Sequence, residues 1–421
     1  LHDSMRERDD RTASNTSATR TRSRCAALRG RALLLVLGCF SAATLGAQEA
    51  PLRRPAFQAG GVWESWRFAT PLPVDTERVE RISQLSFPLG VVIPLGPRWT
   101  FDVSGAYAMG SVQLTDTTGA RTRTIDLRGP TDVKLRLVGH IVGDALLLNL
   151  GLNAPTGLTR LGTEDVAALR LIGAPPLRMP SPTLGNGLGG TAGLVLAQQA
   201  GAWALAAGAA YEVRASYTPI DAAVAGIAST TELDPSDAVH LSLGADRLMG
   251  PHRLSFIASY DLYGKDQIAL NSNGGAMLGG SYQLGPSVSG LMLLELGVPG
   301  MQELSLALVN RYRSRYNGLD GHSVDGSSGN QFDARLHARF GVPRRFGWWL
   351  GIDGHVDTGL DVDQSLATAA MSAVGGSLGL SLPLGAVALE PAIRASLGSV
   401  DTGARSSRAT GLGASLTIVR R

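Results

Sequence analysis

The feature that most limits this chain is a two-residue alternation sustained over runs of about ten residues, the length a tilted strand needs to cross a hydrocarbon layer. In one run Trp99, Phe101, Val103, Gly105, Tyr107 and Met109 share a side, while Thr100, Asp102, Ser104, Ala106 and Ala108 share the other. The pattern returns with Val133, Leu135 and Leu137 against Asp132, Lys134, Arg136 and His140. Trp203, Leu205, Ala207, Ala209, Tyr211 and Val213 then oppose Ala204, Ala206, Gly208, Glu212 and Arg214. Leu254, Phe256, Ala258, Tyr260 and Leu262 alternate with Arg253, Ser255, Ser259 and Asp261. Phe332, Ala334, Leu336, Ala338 and Phe340 alternate with Gln331, Asp333, Arg335, His337 and Arg339. A helix would space its apolar residues three and four apart, which these runs do not.

The first 47 residues read as a leader. Arg20, Arg22, Arg24, Arg29 and Arg31 precede an apolar stretch from Ala32 to Leu45, which ends in the small residues Gly46 and Ala47. Positive start, short apolar segment and small residues at the cut are the order of a secretory signal peptide. Cleavage is expected after Ala47, leaving 48–421 as the mature chain; Gly38-Cys39 leaves a lipoprotein alternative. The leader holds eight arginines and four acids, whereas the remainder holds 30 basic and 31 acidic residues. The basic balance therefore belongs to the leader, and a nucleic-acid footprint is not expected. Both cysteines, Cys25 and Cys39, also lie there, which excludes a disulfide framework or a cysteine zinc site downstream. No run of ~18 apolar residues follows, so no membrane helix is expected. An exported chain with long alternating strands is then either a soluble sandwich or a closed barrel, the one non-helical structure that can span lipid.

Loop lengths favour the barrel. Short connections lie near 94–98, 143–144, 200–201, 249–252, 298–301, 342–345 and 384–386. Long ones lie near 70–78, 115–130, 156–188, 216–236, 265–280, 317–328, 359–371 and 398–407, and the two kinds alternate. Short turns on one rim and long loops on the other are the pattern of outer-membrane barrels. The expectation is an all-β, antiparallel, up-and-down transmembrane barrel of 16 strands in the bacterial outer membrane. Fourteen is the alternative count, because Gly285-Pro286 within 273–297 reads equally as a turn. Trp99 and Tyr107, and likewise Trp203 and Tyr211, are eight residues apart on one face. Eight steps of ~3.3 Å, tilted by ~40°, rise roughly 20 Å, so these four are candidates for two aromatic girdles. The chain closes on Arg421 rather than on the aromatic residue common in barrel-assembly signals.

Gln84-Leu85-Ser86-Phe87-Pro88-Leu89 with Val91-Val92-Ile93-Pro94-Leu95-Gly96 forms one motif. Gly129-Pro130-Thr131-Asp132-Val133-Lys134-Leu135-Arg136, followed by Leu150-Gly151-Leu152-Asn153-Ala154-Pro155-Thr156-Gly157, forms another. Together they resemble the bacterial outer-membrane proteins of the MetA-pathway of phenol degradation family, itself distantly similar to the long-chain fatty-acid transporters. The resemblance covers roughly residues 80–265. It implies a monomeric barrel that passes small, hydrophobic or aromatic molecules.

The candidate functional residues face the lumen. Arg136 does so on an early strand; Arg311, Arg313 and Arg315 share an inward face later, followed by Asp333, Arg335, His337 and Arg339, then Asp353, His355 and Asp357. Arginines on one strand thus oppose carboxylates on the next. Such a wall is either a constriction whose transverse field orients polar or anionic solutes, or a salt-bridge ladder that stiffens the barrel. Same-face side chains on one strand stand ~7 Å apart, too far for Asp353, His355 and Asp357 to share a metal ion. No nucleophile motif surrounds Ser323, Ser327 or Ser328, and no ATP or redox motif is visible, so no enzyme and no cofactor are expected. The expected function is passive passage of small solutes, the alternatives being a structural or adhesive surface protein and a barrel-borne lipid hydrolase. Expected partners are outer-membrane lipid, the solutes and, during biogenesis, the barrel-assembly machinery. In the longest loop, Thr163-Glu164-Asp165 before Val166, Ala167, Ala168 and Leu169 reads as a capped short helix. That loop either folds into the mouth or stands as a rigid surface loop.

Overall fold

A computed structural model describes residues 55–420, except 75–76, 144, 159, 181–184, 225–226, 273–274, 320, 342–344 and 363. The leader lies outside the described residues. The chain begins with β1 (Ala56–Val74), β2 (Glu77–Pro94), β3 (Trp99–Asp116), β4 (Thr122–Pro130), β5 (Val133–Val142) and β6 (Leu146–Ala154). Helix α1 (Thr163–Ile172) and one 3-10 turn, Pro175–Leu177, follow. Next come β7 (Gly189–Ala200), β8 (Trp203–Arg214), β9 (Tyr217–Val224), β10 (Ile227–Asp234), β11 (Ala238–Met249) and β12 (His252–Tyr263). Then β13 (Asp266–Ser272), β14 (Gly275–Tyr282), β15 (Ser287–Leu296), β16 (Glu303–Arg313), β17 (Gly329–Gly341) and β18 (Gly347–Asp357). The chain ends with β19 (Ala370–Leu384), β20 (Val387–Asp401) and β21 (Ser406–Arg420).

Seventeen of these strands hydrogen-bond into one antiparallel sheet. Strands β4 and β5 both pair with β3, β4 along Tyr107–Thr115 and β5 along Trp99–Ser104, so they are one wall strand broken at residues 131–132. Sixteen wall positions result, and the last strand pairs with the first, with Trp66 opposite Gly411. Closure joins the first and last wall strands and so removes the edges they would otherwise expose, which is what lipid demands of a spanning sheet. The seven short connections stay short because glycine supplies the turn; Gly201 and Gly250 both sit at φ 62°, a region where other residues are strained.

The long side of the chain differs from the expected loops. Only residues 75–76 separate β1 from β2, whose hairpin rises well past the band. The expected loops 216–236 and 265–280 contain a separate four-stranded sheet in the order β14-β13-β10-β9. Each of its strands leads directly into a wall strand, so this sheet prolongs β8, β11, β12 and β15. Gly285-Pro286 is therefore a link within one descending line, from β14 into β15, not a turn that reverses it, and the fourteen-strand count is wrong.

Face assignment follows from exposure. Tyr107, Met109, Leu150, Leu194, Leu243, Leu336, Ile352, Leu397 and Leu412 are exposed on the outside, spread over eight wall strands. Along β3 the outward apolar positions run from Trp99 to Met109. Ten steps of ~3.3 Å at ~40° tilt rise roughly 25 Å, the height of a lipid band. The apolar core is not a layer between sheets. It lies inside the barrel mouth, where Val79, Ile82, Val112, Leu114, Ile125 and Leu127 of β2 to β4 enclose Ala168, Leu171, Ile172 and Leu177 of the longest loop. Of the two readings of that loop, the one that folds it into the mouth is correct.

Ile172 is 1% exposed in this cluster. Ile172→Ala is expected to cost about 2–5 kcal/mol locally. Limited proteolysis should then cut within 155–188 while heat-modifiable migration on a gel, the mark of an intact barrel, stays unchanged.

Candidate functional site

The inserted segment is pinned at its base by one carboxylate. Proline has no N–H to give the ladder, and Pro130 marks the break between β4 and β5. Asp132, just beyond it, is 4% exposed and accepts hydrogen bonds from three donors. These are the Gly157 N–H at 2.9 Å, the Asn186 N–H at 2.6 Å and Asn153 Nδ2 at 2.6 Å. Gly157 and Asn186 are the two ends of the segment, so a single side chain closes its neck. A Cβ on Gly157 would lie 2.6 Å from the Gly185 Cα, and only glycine lets the two ends pass this closely.

Above the neck, the Asp165 carboxylate accepts the Gly162 N–H at 3.0 Å and starts α1. Its apolar face meets the wall, where a Cβ on Gly110 would come 2.3 Å from Ile172 Cδ1. At the outer end, Arg123 of β4 donates to both oxygens of Glu77 at 2.7 Å and to Glu164 of α1 at 2.9 Å. The Arg123 hydrogen bonds hold the Glu77 carboxyl below its ordinary value of 4.5.

The tip of the segment crosses to the far wall. Arg178 is the one non-glycine residue with positive φ, 53°, among the described residues. A left-handed arginine costs about 1 kcal/mol, so the surrounding contacts must hold it. Its Nε lies 3.3 Å from Asp333 and its Nη1 lies 3.8 Å from Asp357. Trp66 of β1 donates Nε1–H to the Leu177 carbonyl at 3.1 Å. The Trp66 ring lies on Gly411 and meets His355 edge-on, with ring centres 6.4 Å apart. The inner faces of the strands between them carry Gly375, Ser396, Gly398 and Ala409, too small to keep the two rings apart.

Arg394 of β20 completes the cluster. It contacts both oxygens of Asp353, its Nε donating at 3.2 Å, and it reaches Glu64 of β1 at 3.5 Å. Further along the wall His337 lies 3.8 Å from Glu303, and Arg339 lies 3.2 Å from Glu390. A second polar cluster lines β8 to β12, where His240 sits between Asp261 at 2.8 Å and Glu212 at 3.0 Å. Three buried polar atoms near the tip have no hydrogen-bond partner among the described residues: Arg178 Nη2, His355 Nε2 and Glu64 Oε2.

The expected lumen residues fall into three groups. Asp333, Asp353, His337 and His355 join the clusters just described. Arg136 faces inward on β5, apart from them, beside Asp102 and donating to Asn149 Oδ1 at 2.9 Å. Arg311, Arg313 and Arg335 face inward yet are exposed, and no carboxylate pairs with them among the described residues. An inward side chain that is exposed touches lumen water. The expected girdle residues face outward: Trp99 covers Gly139, Trp203 lies 5.4 Å beneath the Arg247 guanidinium, and Tyr211 hydrogen-bonds Asp237. Trp66, Glu64, Asp132, Arg178 and Arg394 do not stand out in the sequence. Strand parity alone would have put Arg394 in the lumen, and Pro130 marks the break beside Asp132.

No family model matches this chain, and no curated protein matches it. The MetA-pathway resemblance gains no support from either comparison. Among solved structures, Pseudomonas aeruginosa OccK2 (OpdF) in complex with glucuronate is similar at 14% identity, covering 87% of this chain and 96% of its own, with a TM-score of 0.42. Pseudomonas putida OprB is similar at 11% identity, covering 87% and 94%, with a TM-score of 0.43. Pseudomonas aeruginosa OpdK with vanillate is similar at 11% identity, covering 86% and 98%, with a TM-score of 0.41. Nothing about this chain's solute follows from likeness at that distance.

Hydrogen bonds to a buried charged group contribute about 1.5–3 kcal/mol each. Asp132→Ala should therefore free both ends of the segment and raise single-channel conductance and gating noise in a planar bilayer. A depressed carboxyl contributes stability above its unfolded value that is lost as pH falls through the folded value. The Glu77–Arg123 tie, hence the seating of α1, should weaken as pH drops below 4.5, seen as rising open-state noise that Glu77→Gln shows already at neutral pH.

Proposed function

We propose that the chain is a bacterial outer-membrane channel for passive passage of small polar solutes, with a preference for anions. The observation that carries this reading is the unequal pairing of charge in the lumen. The carboxylates near the tip are engaged: Asp333 and Asp357 by Arg178, Asp353 and Glu64 by Arg394. The guanidinium groups of Arg311, Arg313 and Arg335 face lumen water unpaired among the described residues. A solute rounding the inserted segment thus meets fixed positive charge on β16 and β17 in a water-filled, low-dielectric-walled passage, where such charge acts strongly. The apolar side of the mouth is filled by α1 and its cluster, so the remaining passage is polar. That disfavours hydrophobic or aromatic cargo selected by apolar contact.

The four-stranded sheet beyond the wall favours a second reading, a surface protein whose outer sheet is the working part. Steady single-channel steps from the purified protein in a planar bilayer support the channel, and their absence supports the surface role. For the channel, Arg311→Glu combined with Arg313→Glu should move the reversal potential in a salt gradient toward cations. An unchanged reversal potential would remove these arginines from the selectivity argument.

A further inference from the structure

We propose that the outer wall formed by β21, β1, β2, β3 and β4 carries a binding site for a phosphorylated lipid headgroup of the outer leaflet. The proposal rests on the membrane reading above, since it concerns side chains that face lipid.

On β1 and β2 the apolar band ends at one level, and on β21 it ends one row further out. Outward positions run Trp63, Ser65, Arg67 on β1 and Leu85, Ser83, Arg81 on β2, and Leu412, Thr410, Arg408 on β21. Ser65, Ser83 and Ser111 are partners in register, so a serine row closes the band. The next outward row places Arg67 directly opposite Arg81, with Thr410 and Gln113 on either side. Arg408 stands one outward position beyond Thr410, and Arg128 of β4 faces outward opposite Met109. All four arginines are exposed.

Like charges on directly opposed strand positions repel. The repulsion here is left uncompensated by protein: Arg81 Nε donates to Ser65 Oγ at 2.9 Å, and no carboxylate pairs with the four arginines among the described residues. The carboxylates on this wall are otherwise placed. Glu80 accepts from Thr115 Oγ1 at 3.3 Å, Asp401 accepts the Gly403 N–H at 2.8 Å, and Asp126 stands opposite Ser111 in the serine row, two strands away from Arg81. The register slips on both strands just beyond the pair, between Arg67 and Leu72 and between Val79 and Arg81. Such slips re-aim neighbouring side chains. At the top of the band on other strands, the outward residues include Tyr260, Tyr312 and Phe332 instead.

A phosphate between Arg67 and Arg81 would cancel their repulsion and accept paired N–H bonds from each fork. The exposed band below, with Phe87 and Met109, gives acyl chains a surface, which a free anion would not use. Arginines at the headgroup level attract phosphorylated lipid in this way.

The test is native mass spectrometry of the full chain in detergent micelles with diphosphoryl lipid A. The wild type should retain the lipid, and Arg67→Gln with Arg81→Gln should weaken retention at least about tenfold. Arg247→Gln, at the opposite edge of the band, should not. Undiminished retention by the double variant overturns the proposal. Equal retention of a dephosphorylated lipid A also overturns it, and displacement by inorganic phosphate alone would show a free-anion site instead. If the double variant loses heat-modifiable migration, Arg408→Gln alone should still lower retention several-fold, and no change there is equally fatal. Bilayer conductance of the same variants keeps the outcome separate from the channel reading, because conductance steps should persist when lipid retention is lost.

Discussion

Everything in this molecule follows from the need of a backbone in lipid to satisfy its own N–H and C=O groups. A sheet can do so only by joining its ends. Here the joint is the pairing of β1 with β21, and it brings Trp66 and Glu64 beside Gly411, Gly413 and Arg394, residues more than 300 positions away in the chain. Closure thus creates the lumen cluster as well as the wall. The ion pair between Arg394 and Glu64 exists because the sheet is closed, and it spans β21 from β20 to β1.

The wall imposes a second requirement. A sixteen-strand barrel has room for more than its own side chains. The chain fills part of the mouth from within by folding 155–188 inward. Its seat is built by subtraction, with glycine at 110, 129, 157 and 185 making space for Ile172, Leu158 and the crossing of the two ends. Its hold is asymmetric. Apolar burial against β2 to β4 and the three bonds to Asp132 fix one side, while Arg178 touches the opposite wall through longer contacts. On the side of β16 and β17, Arg311, Arg313 and Arg335 stay exposed, and the proposed positive wall rests on that asymmetry.

How much of this was legible in the sequence depends on the range of the interaction. Alternation along Trp99–Met109 or Phe332–Phe340 is a property of adjacent residues. It yields strand faces, and the alternation of loop length yields the sixteen positions. The same parity places Arg311, Arg335 and His355 inward without any knowledge of their neighbours. What parity cannot give is which inward groups meet. Arg178 lies in a segment with no alternation, and its partners Asp333 and Asp357 are set by how far that segment reaches. The outer sheet was missed for a related reason: 216–236 and 265–280 are punctuated by Pro219, Pro235, Gly264 and Gly274, which read as loop residues although the backbone between them pairs.

A selective wall and a stiffening ladder are compatible within one arrangement. A carboxylate that is already bonded presents little net charge to a passing solute, so pairing Asp353 with Arg394 and Asp333 with Arg178 both braces the wall and neutralises its acids. What remains without an ion-pair partner among the described residues is Arg311 and Arg313 of β16 and Arg335 of β17. Stiffening the acids and exposing the bases are therefore not competing uses of the same residues. A lumen with every charge paired would be rigid and indifferent to the sign of its solute, and one with none paired would repel itself. This wall pairs Asp333, Asp353 and Asp357 and leaves Arg311, Arg313 and Arg335 exposed, and the proposed anion preference rests on that difference.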